Sequence, residues 1–134
     1  MKALQMREPL GELERLQRVA AVDLGQRNTF FTRLLQSDIW LVADLESESR
    51  AVLHTWKQGE ETCPLFTSEA LLEDAMEPGT PWIKLIGRTA FEMIAAEGLG
   101  TFINPRYEFQ VRLRASEVKA LLAGRLEAVR GSDA

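Results

Sequence analysis

An α+β fold is what this sequence predicts: one domain, with a mixed or antiparallel sheet of about six strands and helices packed against it. Three observations carry that reading. Apolar runs of strand length are interspersed with longer segments whose apolar residues recur at helical spacing. No stretch rich in glycine, serine or proline divides the chain. Its 134 residues are about one domain's worth, and a chain of this size buries roughly two thirds of its extended surface. The composition, 46% hydrophobic and 27% charged, is that of a globular protein rather than a disordered one. The expected order is α-α-β-β-β-α-β-α-β-β-α over a single domain, 1–134, with residues 130–134 as a flexible tail.

The first helix places Leu13, Leu16, Ala20 and Leu24 on one face, with Pro9 in a first turn whose N–H groups need no helical partner. A second, capped by Asn28, carries Phe30, Phe31, Leu34 and Leu35. Ile39 to Ala43 is an unbroken apolar run and predicts a buried strand. Asp44 to Ser49 is expected to break it as a turn. Arg50 to Lys57, with Val52, Leu53 and Trp56, follows as a half-buried strand. Gln58 to Glu61 turns the chain into a third strand, Thr62 to Phe66, so that the three form a meander.

From Phe66 the period changes. Thr67 or Ser68 caps a helix through Leu71, Leu72, Ala75 and Met76, with Glu69 at its positive end. The prolines of Glu77-Pro78-Gly79-Thr80-Pro81 stop it. Trp82 to Ile86 is a strand, and the next helix buries Ala90, Phe91, Ile94 and Ala95. The capping-box spacing of Thr89 and Glu92 suggests that this helix starts at Thr89. Thr101 to Ile103 is a short strand closed by Asn104-Pro105. Tyr107 to Leu113 alternates apolar and polar residues, which predicts a strand with one wet face. Ser116 caps a last helix whose core face is Val118, Leu121, Leu122 and Leu126.

Charge and cysteine content narrow the function classes. Residues 1–80 hold 8 basic and 14 acidic side chains, and residues 81–134 hold 8 and 6. An acidic chain repels phosphate unless a compact basic patch overrides it. The only candidates, Arg106, Arg112, Arg114, Lys119 and Arg125, lack an interleaved stacking platform, so nucleic acid is not an expected partner. No apolar stretch approaches the ~20 residues of a membrane span. A lone cysteine, Cys63, and an N-terminus without an apolar leader point to a reducing cytoplasm and to no disulfide framework.

Catalytic arrangements are sparse. One histidine, His54, and one cysteine cannot supply the several converging ligands that zinc requires, so no metal or cofactor is expected. If Lys57 pairs with Thr62, His54 and Cys63 become diagonal neighbours on one sheet face, about 7–8 Å apart between backbones. A one-residue slip separates them, and a packed thiol is the simpler reading. The acid pairs Glu60-Glu61 and Glu73-Asp74 sit where carboxylates are ordinarily solvated. Gly98-Leu99-Gly100 lacks the third glycine of a dinucleotide fingerprint and precedes a strand. The chain is therefore expected not to be an enzyme.

The ordered series Pro64-Leu65-Phe66-Thr67-Ser68, Pro81-Trp82-Ile83-Lys84-Leu85-Ile86-Gly87-Arg88 and Ile103-Asn104-Pro105 resembles the N-terminal domain of the SseB (enhanced serine sensitivity) family. The likeness extends from Leu34-Leu35-Gln36-Ser37-Asp38-Ile39-Trp40-Leu41 through Glu117 to Gly124 and covers about residues 28–124. Tryptophan stands at Trp82 where the family commonly has tyrosine. The glycine-rich turn that usually follows "N-P" is replaced by Arg106-Tyr107-Glu108-Phe109. The resemblance implies a bacterial protein of this fold and no established catalytic activity.

Two functional expectations follow. The first is a non-catalytic interaction or regulatory module that works through a sheet face or edge, on a protein partner or as a homodimer. Trp56, after a polar stretch, and Trp82, after a proline turn, are its interface candidates. The second is a domain that binds a small anion or amino acid, serine being suggested by the family name. Its candidate residues are Thr67, Ser68, Gly87, Arg88, Asn104 and Arg106, at helix N-termini and the strand end beyond them.

Overall fold

The fold is taken from a computed structural model, which describes residues 11–47, 50–57, 59–125, 127 and 129. Helices α1 (Glu12–Val22) and α2 (Arg27–Gln36) are joined by a 3-10 turn and precede β1 (Asp38–Ser47), β2 (Arg50–Leu53) and β3 (Thr62–Phe66). There follow α3 (Glu69–Ala75), β4 (Trp82–Ile86), α4 (Gly87–Ala96), β5 (Gly100–Ile103), β6 (Val111–Leu113) and α5 (Ala115–Leu122). The order of helices and strands among the described residues is the expected one. Pro9, Glu48, Ser49, Gln58, Leu126, residues 130–134 and the side chain of Leu24, for which expectations were given, lie outside the described residues.

β1 is the centre of the sheet, not the start of a meander. It pairs antiparallel with β4 through residues 38–42, with β3 through Trp40 and Leu41, and with β2 beyond Ala43. β5 then lies parallel to β3, and β6 antiparallel to β5. Pro64 explains why the β1–β3 ladder is so short. Continuing the Trp40–Phe66 and Leu41–Leu65 register would place Pro64 opposite Val42, where it has no N–H to donate. The Val42 carbonyl instead accepts from the His54 backbone N–H at 3.0 Å, and β2 enters at that point.

Side chains alternate across the sheet as the period of two requires. Ile39, Leu41, Leu65 and Ile103 face the larger core, built with Phe30, Phe31 and Leu34 of α2, Phe91 and Ile94 of α4, and Val118 and Leu121 of α5. Each such fully buried side chain stabilises the fold by about 1.5–3 kcal/mol relative to an exposed one. Val42 and Phe66 point the other way, into a smaller core with Leu71, Leu72 and Tyr107. Among the described residues α3 and the Tyr107–Phe109 turn cover that face, and the part of the sheet at β4 is left uncovered by them.

Several boundaries differ from expectation. Asp44 to Ser47 extends β1 as the arm of a hairpin with β2, and β2 ends at Leu53. This arm projects from the core, so it needs no apolar pattern. Tyr107 to Gln110 is not strand. Asn104 and Arg106 adopt left-handed φ of 54° and 72°, which bends the chain into turns with Tyr107 N–H on the Asn104 carbonyl. The apolar alternation has another cause: the Tyr107 and Phe109 rings meet edge to face with centroids 5.8 Å apart.

Helix starts also shift. α2 begins at Arg27, one residue before Asn28. α4 begins at Gly87 rather than Thr89, and α5 at Ala115 rather than after Ser116. At α5 the first N–H groups are capped both remotely and locally: Ala115 N–H donates to Glu60 at 2.9 Å, and Arg114 N–H donates to Glu117 within the first turn.

Candidate functional site

The pairing directions bring three junctions to one end of the sheet. β3 and β4 both run antiparallel to β1, and β5 runs parallel to β3, so Thr67, Gly87 and Asn104 all follow C-terminal strand ends on the same side. In open α/β sheets such an end is the usual ligand crevice.

Thr67 and Asn104 do converge. The Thr67 N–H donates to Asn104 Oδ1, and Asn104 Nδ2 donates to Thr67 Oγ1, each at 2.9 Å. Two residues of α1 complete the cluster. Asn104 Nδ2 donates to Gln17 Oε1 at 2.8 Å, Gln17 Nε2 donates to the Phe109 carbonyl at 2.7 Å, and the Thr67 hydroxyl donates to the Glu14 carboxylate. Asn104 is fully buried, and Gln17 and Glu14 are only 1% and 4% exposed, so the network is closed to water. Asparagine tolerates the left-handed backbone at 104 better than most residues, and its amide supplies both donor and acceptor here.

The Tyr107 hydroxyl is buried on the same side without a hydrogen-bond partner of good geometry. Burial raises its pKa, and the neighbouring Arg18 guanidinium of α1 opposes that rise. The polar side chains of Thr67 and Asn104 at this strand end are thus engaged by each other and by α1. The Thr67 N–H and the Asn104 amide N–H are therefore already committed within the chain.

The other ligand candidates scatter. Ser68 Oγ accepts from Leu71 N–H at 3.2 Å, an ordinary N-cap of a two-turn helix. Gly87 N–H donates to the Ser37 carbonyl at 2.7 Å, so it is not free. A Cβ on Gly87 would lie 2.0 Å from the Leu34 carbonyl oxygen, which makes this glycine the close contact between α4 and α2. Arg88 is exposed beyond it. Arg106 is exposed as well, its N–H donating to Gln110 Oε1 at 2.8 Å. The six residues form no common anion site.

The Cys–His geometry is removed by the one-residue slip. Trp56, not Lys57, pairs with Thr62. Cys63 is fully buried, its Sγ 3.7 Å from the Val42 carbonyl, and burial pushes its pKa up to about 12. His54 lies toward solvent with Nε2 3.2 Å from Asp44. The thiol is packed as a small hydrophobic group and held in its protonated form. Among the described residues no group of histidine, cysteine, aspartate and glutamate is arranged to hold a metal, and no helix is long and apolar enough to cross a membrane.

The tryptophans divide. Trp56 is half-buried, edge-on to Phe102 at 5.9 Å, and Phe102 in turn carries the Arg112 guanidinium at 4.9 Å. Trp82 is 38% exposed on β4, two positions from Lys84 and four from Ile86, which is 46% exposed. β4 pairs with β1 alone, so its other edge is bare among the described residues. Ile83 and Leu85 turn inward onto the helical core. Trp82, Lys84 and Ile86 share the uncovered face.

Fold and site together define a small α+β domain with a polar strand end filled by its own first helix and an exposed aromatic edge. The model of the family described as SseB protein N-terminal domain matches residues 13–120, and the chain belongs to that family. Protein SseB of Escherichia coli (strain K12) and Protein SseB of Shigella flexneri are each 31% identical to it over 126 residues, covering 87% of this chain. The chain spans about half the length of these relatives, 48% in each case. No solved structure gives a significant match.

Proposed function

We infer that this chain is a non-catalytic protein-interaction module of the bacterial cytoplasm, working through the uncovered sheet face at β4. The observation that carries this reading is the exposed strip Trp82, Lys84 and Ile86 on a strand whose outer edge is bare among the described residues. Large apolar side chains beside a bare edge are what a strand-adding partner engages, whereas an isolated exposed Trp82 would need no explanation. The buried thiol of Cys63 and the internally satisfied Asn104 network support the absence of catalysis and weigh against the anion-binding alternative.

The test is capture from an extract of the source cells with wild-type chain and a Trp82→Ala/Ile86→Ala variant side by side. A protein held by the wild type and released by the variant is expected; indistinguishable eluates would refute the reading. A thermal-shift screen with serine and other amino acids at millimolar concentration is expected to leave the melting temperature unmoved.

A further inference from the structure

We propose that the free edge of β4 is a self-association site, at which β4 pairs antiparallel with β4 of a second copy of this chain about a two-fold axis through Lys84. This rests on the interaction reading above and names its partner.

The backbone geometry comes first. Gly87 N–H donates to Ser37 and Ala43 N–H donates to Pro81, so the odd-numbered residues of this segment exchange hydrogen bonds with β1. In an antiparallel ladder the intervening residues point their N–H and C=O groups the opposite way. Trp82, Lys84 and Ile86 therefore present their amides outward, and no described residue accepts from them. The ligand chemistry such a row recognises is another extended backbone.

The second observation concerns the usual guard. Edge lysines protect a strand by placing a charge where a neighbour would dock. Lys84 does not. Its Nζ lies 5.3 Å from the centre of the Trp40 ring and 3.8 Å from Asp38, both on β1, so the side chain is folded back from the edge. The charge is partnered inside the same molecule, and the edge is left open.

The third observation selects the occupant. Outward residues must face outward residues across the new ladder, which allows only even-numbered partners. Pairing Lys84 with Lys84 places Trp82 opposite Ile86 of the partner and Ile86 opposite its Trp82. This register covers both exposed apolar residues of β4 twice over, as aromatic–aliphatic cross-strand pairs. Like charges directly opposite would oppose it, but Asp38 and Trp40 draw each Lys84 away from the axis. The strip is self-complementary. Five residues a side fall short of the ~800 Å² per partner of a standard interface, so the dimer is weak and populates at micromolar to millimolar concentration.

Sedimentation equilibrium of the full chain, up to about 1 mM, tests this. The wild type should shift from monomer to dimer mass. Trp82→Lys and Ile86→Glu should each weaken association by about ten-fold or more, with circular dichroism unchanged. Mixing these two variants, or combining them in one chain, should restore the dimer, because each Lys then faces a Glu and every remaining Trp faces an Ile. A wild type that stays monomeric overturns the proposal, and so does a dimer that ignores the substitutions or is not rescued by the mixture. A monomeric wild type whose captured protein is still lost from the Trp82→Ala/Ile86→Ala variant would overturn the dimer alone and leave the interaction role standing.

Discussion

The two sides of β1 handle unpaired polar groups in opposite ways. Where β3 and β5 end, Thr67 and Asn104 would expose donors in a natural crevice, and α1 fills it with Glu14 and Gln17. Along β4, across β1 from that cluster, the outward amides of Trp82, Lys84 and Ile86 meet no acceptor among the described residues, and the Lys84 side chain bends away from them. The first region is finished within the chain; the second is not. The contrast teaches that a strand end resembling a ligand site by position alone can be structural, while an unremarkable five-residue strand can be the incomplete surface.

Substitutions should separate the two regions by what they change. The largest effect is expected at Asn104. Alanine there leaves Gln17, the Thr67 N–H and the Thr67 hydroxyl short of partners and puts a Cβ residue without a local hydrogen bond in the left-handed region, at a cost of about 3–5 kcal/mol. Urea denaturation measures it, and a loss under about 1 kcal/mol would mean that the network is slack. Glu14→Ala comes next, at about 1–3 kcal/mol, since the buried Thr67 hydroxyl loses its acceptor. Glu14→Gln, which keeps an acceptor oxygen, should cost less.

These two outcomes bear on how much the sequence discloses. Leu13, Ala20, Phe30, Phe31 and Leu34 declare their buried faces by spacing, and the described α-helices and strands are visible in order. Glu14 and Gln17 are not, because polar residues on an amphipathic helix look like its solvated side. The one available signal is Gln17's position inside the stripe Leu13–Ala20. The length of β1 is hidden for a related reason. Asp44, Glu46 and Ser47 carry turn-like chemistry, and a hairpin arm in solvent makes no demand on its side chains. The turns at Asn104 and Arg106 are masked by Tyr107 and Phe109, whose alternation mimics a strand while each ring packs on the other.

The thiol provides a smaller effect with a definite sign. Cys63 has a folded pKa of about 12, above the ~8.5 of an exposed cysteine. The folded state thus holds its proton more tightly than the unfolded state. This stabilisation is fully present below the unfolded pKa and is lost as pH rises from there toward the folded one. Alkylation of native chain near neutral pH should be slow and limited by unfolding; rapid labelling would contradict the packing against Val42. The smallest effect on stability is expected from Trp82→Lys and Ile86→Glu, each within about 0.5 kcal/mol of wild type, because both side chains are substantially exposed. Their consequence should appear in association alone.

The most direct measurement is backbone amide hydrogen exchange at dilute and at concentrated protein. The outward N–H of Lys84 should exchange freely when dilute and become protected as concentration rises. The inward amides of Ile83 and Leu85, and the Thr67 N–H held by Asn104, should be protected at both. Protection of Lys84 in dilute solution, or exchange that never responds to concentration, would contradict an open β4 edge that a second copy completes.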